Sequence, residues 1–385
     1  MLDSAPRSAD VVVVGAGLIG LAVAWRAACT GLSVVVVDPT PGTGASQAAA
    51  GMLAPVAEAS YGEESLLELS RASLLRYPAF VEDVERASGQ QVGLRTAGTV
   101  VVGFDADDVH ALDELHRFQC ELGLDVERLG ARDCRRVEPA LTPRLRSGLR
   151  VRGDHSVDGR ALHAALLVAG ERQGVHLVAQ RVRALRVADG RVTGVELADG
   201  AELAADTVVV AAGAWSAQLP GLPAGALPVR PVKGQILRLR GDAREPLLTG
   251  TVRALVRGRH VYLVPYGRDG LIVGATVEEM GFDATVTAGA VFELLRDAIE
   301  VVPGVAELEL VETLARWRPG TPDNAPLLGP TGVPGLVAAT GHHRNGVLLT
   351  PVTADVIASL LVTGAPAELA APFAPDRFSV QEVSP

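Results

Sequence analysis

Two short stretches carry side chains whose type and spacing suit small-molecule chemistry. In "ARWRPGT", Arg316 and Arg318 stand two apart, which puts both on one face of an extended strand. A guanidinium is planar, always charged and rich in donors, so it grips a carboxylate through paired hydrogen bonds. The plain alternative is two surface arginines in ion pairs. In "RHVYLVPY", His260, Tyr262 and Val264 alternate, so His260 and Tyr262 share a face. The Tyr262 hydroxyl can hydrogen-bond a carboxylate and His260 can line the same pocket; otherwise Tyr262 is a core residue with a satisfied hydroxyl. A third stretch, "GHHRNGVLLTPVTADVIASLL", sets His342, His343 and Arg344 in a glycine-bounded turn before an apolar run. A cation at a helix N-terminus is disfavoured by roughly 0.3–1 kcal/mol, so Arg344 calls for an anion close by. Adjacent histidines point apart on most backbones, and no metal site is expected.

The elements that must position these groups begin with "VVVVGAGLIG". Gly15, Gly17 and Gly20 have GxGxxG spacing between a β-branched strand and a helix. The first glycine allows a tight turn, the second lets backbone approach a pyrophosphate, and the third lets helix and strand pack closely. Free amides at the helix start then face the phosphate charge. Asp38 ends the next strand, 18 residues after Gly20, where its carboxylate can accept from ribose hydroxyls and would repel a 2′-phosphate. Strand, helix, strand and acid in this order indicate a dinucleotide and leave NAD and FAD both open.

Two further segments favour the flavin. "GASQAAAGMLAP" is uncharged and small, so its backbone can lie against a flat ligand; a flexible linker is the alternative. If "GLVAAT" is a strand and "NGVLLTPVTADVIASLL" a helix, the turn from Gly341 to Gly346 is a second helix N-terminus. Its positive end suits the negative charge that develops at the N1–C2=O edge of a flavin.

Composition sets the outer limits. The 385 residues are 48% hydrophobic and 21% charged, enough for a large core in two compact units or one elaborated α/β domain. The net charge of −10 makes nucleic acid and anionic membrane poor partners. "MLDSAPRSAD" lacks the basic start and apolar run of a secretory signal. The uncharged run from Val11 to Trp25 is broken by glycines and shorter than the roughly 20 residues that a membrane helix needs. Three cysteines without CxxC spacing (Cys29, Cys120, Cys134) fit a reducing cytoplasm.

Buried-strand runs at 10–38 and 206–213 suggest a parallel sheet, while 231–240, 260–266 and 270–277 alternate and suggest antiparallel strands with one face open. Helices are expected at 64–88, 105–123, 157–174 and 287–304, and hairpins at the two "ADG" turns, 188–190 and 198–200. The two strand types interleave along the chain.

Taken together, "VVVVGAGLIG" with Asp38, "SQAAAGML", "VVVAAGAWS", "RPVKGQIL", "YLVP", "IVGAT", "RWRPGTPDNAPLLG" and "GHHRNGVLLTP" run in order over nearly the whole chain. In these the sequence resembles the FAD-dependent amine oxidases of the D-amino-acid oxidase family, and most of all its glycine-oxidising members of thiamine biosynthesis. The resemblance implies an α/β fold: an FAD-binding Rossmann-like domain from 1–90, 151–222 and 312–385, interleaved with a mostly antiparallel α+β substrate domain from 91–150 and 223–311. It implies flavin contacts at Gly15, Gly17, Leu18, Ile19, Gly20, Asp38, Pro39, Ala45, Ser46, Ala50, Gly51, Met52, Val182 and Gly213. The turn adds His342, His343, Arg344, Asn345, Gly346, Val347 and Leu348. It makes Arg318 the carboxylate clamp and puts the Arg344 side chain on the substrate side; the alternation in "RHVYLVPY" adds Tyr262 as a second carboxylate partner and His260 on the same face. Related sarcosine oxidases hold flavin on a cysteine; no cysteine lies beyond Cys134 here, so FAD is expected to be non-covalent. Departures are His343, where the family often has an aromatic residue, and Val277, where a larger side chain such as Met is common.

The implied activity is oxidation of glycine, sarcosine or small D-amino acids to an imine, with O2 as electron acceptor and H2O2 as product. Hand-over to a thiazole-forming enzyme follows from the resemblance alone, and the sequence allows a homo-oligomer. Alternatives are a dehydrogenase of the same fold that passes electrons elsewhere, a non-catalytic FAD-binding subunit, and an NAD dehydrogenase.

Overall fold

A computed structural model describes residues 6–223 and 225–378; the expectations on residues 1–5 and 379–385 fall outside the described residues. The chain opens with β1 (Ser8–Val14), α1 (Leu18–Cys29) and β2 (Val34–Val37). Both strands are runs of four valines buried on both faces. α1 starts directly after Gly17, and Gly31 beyond its end has a φ of +94° that favours glycine. Then come α2 (Ala45–Ala48), β3 (Met52–Leu53) and α3 (Glu64–Ser88), the last closed by Gly89 in the left-handed conformation. The chain continues through β4 (Thr99–Gly103), α4 (Ala106–Glu121), β5 (Glu127–Gly130), α5 (Ala131–Val137), β6 (Ser147–Val151), β7 (His155–Ser156) and α6 (Gly159–Arg172). β8 (His176–Val178), β9 (Val182–Ala188), β10 (Arg191–Leu197) and β11 (Glu202–Val210) follow, the last three joined by the expected hairpins. β12 (Arg230–Arg240), β13 (Thr251–Val256), β14 (Arg259–Tyr266), β15 (Gly270–Gly274), α7 (Ala288–Val301) and β16 (Glu309–Gly320) precede β17 (Leu327–Pro330), β18 (Leu336–Thr340) and α8 (Thr350–Thr363).

Two eight-stranded sheets result. The first runs β17-β18-β11-β1-β2-β8, with β10 and β9 added beside β11. Its centre is parallel, with Val12 opposite Val208 and Val35, and α1, α3, α6 and α8 share one core against it. The second runs β16-β12-β15-β14-β13-β4-β6-β5 and is antiparallel except where β13 meets β4. β3 and β7 form a small ribbon.

Three expectations are corrected. The second sheet has no open face in its middle: β12 is buried along nearly its whole length and β15 throughout. One face packs on Leu294, Ala298 and Val301 of α7, and the other on Ala48 and Ala50 of the first unit. The polar residues that suggested solvent find partners inside. Lys233 meets Asp283 at 2.5 Å, Gln235 bonds Glu278 at 2.8 Å, and Arg238 lies over the Tyr266 ring. The boundary at 312 falls inside β16, which belongs whole to the second sheet through eleven register pairs with β12. Finally, the C-terminal helix begins at Thr350, and residues 343–345 form a separate single 3₁₀ turn.

Among the described residues no single helix is long and apolar enough to cross a membrane, and the apolar α8 is largely buried in the first core. α6 is capped by Asp158, whose side chain accepts from the amides of Arg160 at 3.0 Å and Ala161 at 3.1 Å. Replacing that cap, Asp158→Ala, is expected to lower unfolding free energy by about 1 kcal/mol in urea titration.

Candidate active site

The glycine turn is shaped by contacts that tolerate no side chain. Gly15 has a φ of +111°, and a Cβ there would meet the Ala211 carbonyl, while one at Gly20 would meet the Gly15 carbonyl. At Gly17 it would sit 3.3 Å from Ser46 Oγ, the atom that accepts from the Leu18 amide at 3.1 Å. Ile19 follows in α1, packed against the first core. Asp38 Oδ2 accepts from the Ala16 amide at 2.7 Å and Oδ1 from Thr40 at 2.8 Å, so the acid braces the turn from the end of β2, with Pro39 next to it. Val182 packs in the cluster that contains Val37 and Val178, beneath that strand end. His163 bonds the Ala16 carbonyl at 2.8 Å through Nε2.

The segment that carries Ala45, Ser46, Ala50, Gly51 and Met52 lies between the sheets. Gly51 has a φ of +81°, and a Cβ there would strike the Val157 carbonyl. Ala50 belongs to the cluster with Ile236, Val264, Ile272 and Leu314 of the second sheet, and Met52 and Tyr262 pack against it. Arg316 ties this segment down through Thr43 O at 2.7 Å and Gln47 Oε1 at 3.0 Å. It shares a face with Arg318, as expected, but is spent on that tie.

The 341–349 turn is held from three sides. His342 is buried and bonds Thr353 Oγ1 at 3.0 Å; burial pulls its pKa down to about 3, so it is neutral. Tyr77 Oη donates to Val347 O at 2.7 Å and Ser73 Oγ to Leu348 O at 2.6 Å, which fixes those peptides from α3. Asn345 and Leu349 close the turn by backbone bonds around Gly346. Thr340 and Ser216 share a 2.6 Å bond that joins the turn to the one at Gly213. His343 sits at a φ of +46°. Burial, and then the guanidiniums of Arg318, Arg344 and Arg230, bring its pKa down to about 4. The anion that Arg344 demands is Glu63, 2.9 Å away, with Ser60 Oγ at 3.3 Å. Its side chain is therefore strapped to the 58–63 segment rather than left free for a substrate.

Arg318 and Tyr262 converge from strands that are not neighbours. β12 and β15 lie between them, and each offers a glycine at the crossing point. A Cβ on Gly234 would lie 2.7 Å from Arg318 Cζ, and one on Gly274 would lie 2.5 Å from Tyr262 Cζ. The two side chains thus lie flat across bare backbone towards each other. Arg318 Nη1 donates to Thr276 O at 3.1 Å. Burial pushes the Tyr262 phenol up against the opposing pull of Arg318, so its hydroxyl keeps its proton and can donate. His260 shares the Tyr262 face but stands exposed. Val277 is 71% exposed. Among the described residues no His, Cys, Asp and Glu side chains cluster as a metal set.

The sequence reading did not single out Ser73, Tyr77, His163, Ser216, Gly234, Gly274, Glu58, Arg253 or Asp154. For Ser73 and Tyr77 a signal existed: they lie four apart on the buried face of an amphipathic helix, where polar groups need partners.

A parallel sheet with a side-chain-free turn, an acid at the next strand end, and a guanidinium and phenol brought together on a second sheet define a dinucleotide-dependent oxidoreductase. The chain belongs to the FAD-dependent oxidoreductase family, whose model matches residues 10–360. It is 36% identical over 380 residues to the glycine oxidase of Pseudomonas putida, covering 96% of this chain and 99% of that one. It is 35% identical over 377 residues to the bifunctional protein ThiO/ThiG of Synechocystis, 96% of this chain but 54% of that protein, so it spans about half the length of such relatives. The crystal structure of glycine oxidase from Geobacillus kaustophilus matches with a TM-score of 0.88 at 33% identity, over 97% of this chain and 99% of that one. The side-chain-free turn at the start of α1, with Asp38 at the end of β2, fits the pyrophosphate and ribose of FAD; Gly15 and Gly20 hold that turn closed, since a Cβ at either would strike a protein carbonyl.

Behind the site lies Asp154, fully buried, which accepts from the amides of Val56 at 3.3 Å and Ala57 at 3.1 Å. Burial raises its pKa to about 7, against the pull of those amides. The folded protein therefore keeps a proton that the unfolded chain releases near pH 4. The stabilisation from this group is full below that pH and is lost as pH rises through about 7. Thermal melts from pH 4 to 8 should show this falling component, and Asp154→Asn should lack it.

Proposed function

We propose that this chain is an FAD-dependent oxidase of glycine and of similarly small amines, sarcosine and short D-amino acids among them. The observation that carries the reading is the convergence of Arg318 and Tyr262 over Gly234 and Gly274, beside the segment and turn that fit a flavin. FAD, held non-covalently by the Gly15–Gly20 turn, the 45–52 segment and the 341–348 turn, would supply the hydride acceptor for the substrate carbon, with O2 as the terminal oxidant reduced to H2O2. Arg318 takes the substrate carboxylate in paired hydrogen bonds and Tyr262 donates a further one, which fixes the carbon that loses hydride. His343, held neutral, adds no charge beside the amine, which must be unprotonated to give up hydride. The imine then takes up water, giving glyoxylate and ammonia from glycine.

In this reading the first sheet and its helices are the FAD domain, and the second sheet, now including all of β16, is the substrate domain. Similarity to the bifunctional ThiO/ThiG supports a place in thiamine biosynthesis, with the product passed to a thiazole-forming partner.

Glycine added without oxygen is expected to bleach the visible flavin band of the purified protein, and air should restore it with release of H2O2. An unchanged band would refute the substrate reading, and bleaching without recovery in air would refute oxidase chemistry. Arg318→Ala is expected to raise KM for glycine by about tenfold or more, as loss of a charge-assisted hydrogen bond of roughly 1.5–3 kcal/mol requires. An unchanged KM would remove Arg318 from the clamp.

A further inference from the structure

Tyr262 has a second guanidinium beside it. In the antiparallel register Arg253 of β13 stands directly opposite Tyr262 of β14, which in turn opposes Gly274 of β15. Directly opposed residues put their side chains on one face, with Cβ atoms about 4.5–5.5 Å apart. Tyr262 is therefore flanked by Arg318 on one side and Arg253 on the other, and both guanidiniums act on its phenol.

The two cations differ in one respect. Arg318 meets no carboxylate among the described residues; its partner is the Thr276 carbonyl. Arg253 is paired with Glu58, in a contact that leaves both side chains mostly covered, at 20% and 14% exposure. Glu58 is also held in place. The amides of Val56 and Ala57 just before it are bound by Asp154, and Gln119 Nε2 holds the Val56 carbonyl at 2.8 Å. The carboxylate is thus built in at that position, ready before any substrate arrives.

We propose that Glu58 is a specificity-determining residue that cancels Arg253, so that the pocket accepts amines with one carboxylate and refuses those with two. With Glu58 in place, Arg318 is the one of the two guanidiniums flanking Tyr262 that has no carboxylate partner and can take an anion. A second carboxylate, reaching past Tyr262 from the same substrate, would have to displace Glu58 from Arg253 and leave it buried and unpaired, which is costly. The substrate class refused is amines such as iminodiacetate or D-aspartate, whose two carboxylates could otherwise bridge the two guanidiniums. This inference rests on the reading of Arg318 and Tyr262 as the carboxylate clamp.

The test uses the FAD-loaded protein and two ligands without an amine, acetate and diglycolate, followed by their perturbation of the flavin spectrum. In the wild type, acetate binding checks the clamp by itself, and its failure would fall on the proposed function. The inference expects Glu58→Gln to tighten diglycolate by about tenfold or more relative to acetate, the effect of one newly available charge-assisted contact. The ratio of kcat/KM for iminodiacetate over glycine should rise in step. In Glu58→Gln/Arg253→Met the gain should vanish. A diglycolate-to-acetate ratio unmoved by Glu58→Gln, or a gain that persists without Arg253, overturns the inference. Should Glu58→Gln not load FAD, Arg253→Met gives the same decision from the other side. Uncancelled, Glu58 should weaken acetate binding severalfold, and unaltered acetate binding would overturn the inference as well.

Discussion

The structure depends on the close approach of bare backbone to neighbouring segments of the chain. In the first unit, Gly15, Gly20 and Gly51 let carbonyls of Ala211, Gly15 and Val157 lie where a Cβ would otherwise stand. In the second, Gly234 and Gly274 let a guanidinium and a phenol lie flat on a sheet instead of rising from it. A sheet normally carries its side chains upright, about perpendicular to its plane. Removing two Cβ atoms from the inner strands turns that surface into a floor on which residues of β16 and β14 can meet.

The second organising factor is the distribution of charge. The chain is acidic overall, yet its site is crowded with cations, and most of them are cancelled locally. Glu58 faces Arg253, Glu63 faces Arg344, Asp283 faces Lys233, and Arg316 rests on Gln47 and a carbonyl. His342 and His343 are kept neutral, the first by burial alone and the second by burial with neighbouring guanidiniums. Among the described residues Arg316 and Arg318 face no carboxylate; the donors of Arg316 are taken up by Gln47 and a carbonyl, and Arg318 stands next to one phenol.

The sequence made the first unit readable because local rules determine it. Four-valine strands and GxGxxG are patterns of adjacent residues, and Asp38, which braces Ala16, stands at the end of the strand that the same βαβ pattern marks. The clamp was readable in part: alternation placed Arg316 with Arg318, and His260 with Tyr262, but could not tell that Arg316 and Arg344 would be used as ties. That depends on which distant segment lands beside them, Gln47 for one and Glu63 for the other. Polar residues in β12 were misread as a wet face for the same reason, since Lys233, Gln235 and Arg238 are satisfied by a loop and a ring far along the chain. Glu58 and Arg253 were invisible because neither stands in a motif, and their pairing spans 195 residues. The start of α8 was misplaced because a glycine-rich turn can wind as one 3₁₀ turn before the helix proper begins.

The interleaving of the two sheets bears on how the molecule is made. β1 leaves the ribosome well before its register partner on one side, β11, which sets Val12 opposite Val208. At the roughly 5–20 residues per second of synthesis, that edge of the valine strand waits on the order of ten seconds or more for its neighbour. β18, which completes the row beyond β11, comes later still, at Leu336. For that interval the nascent chain presents an apolar strand edge with nothing to pair with, which is the kind of surface that holdase chaperones cover. The same valines that make the nucleotide-binding unit easy to recognise make its early life dependent on protection.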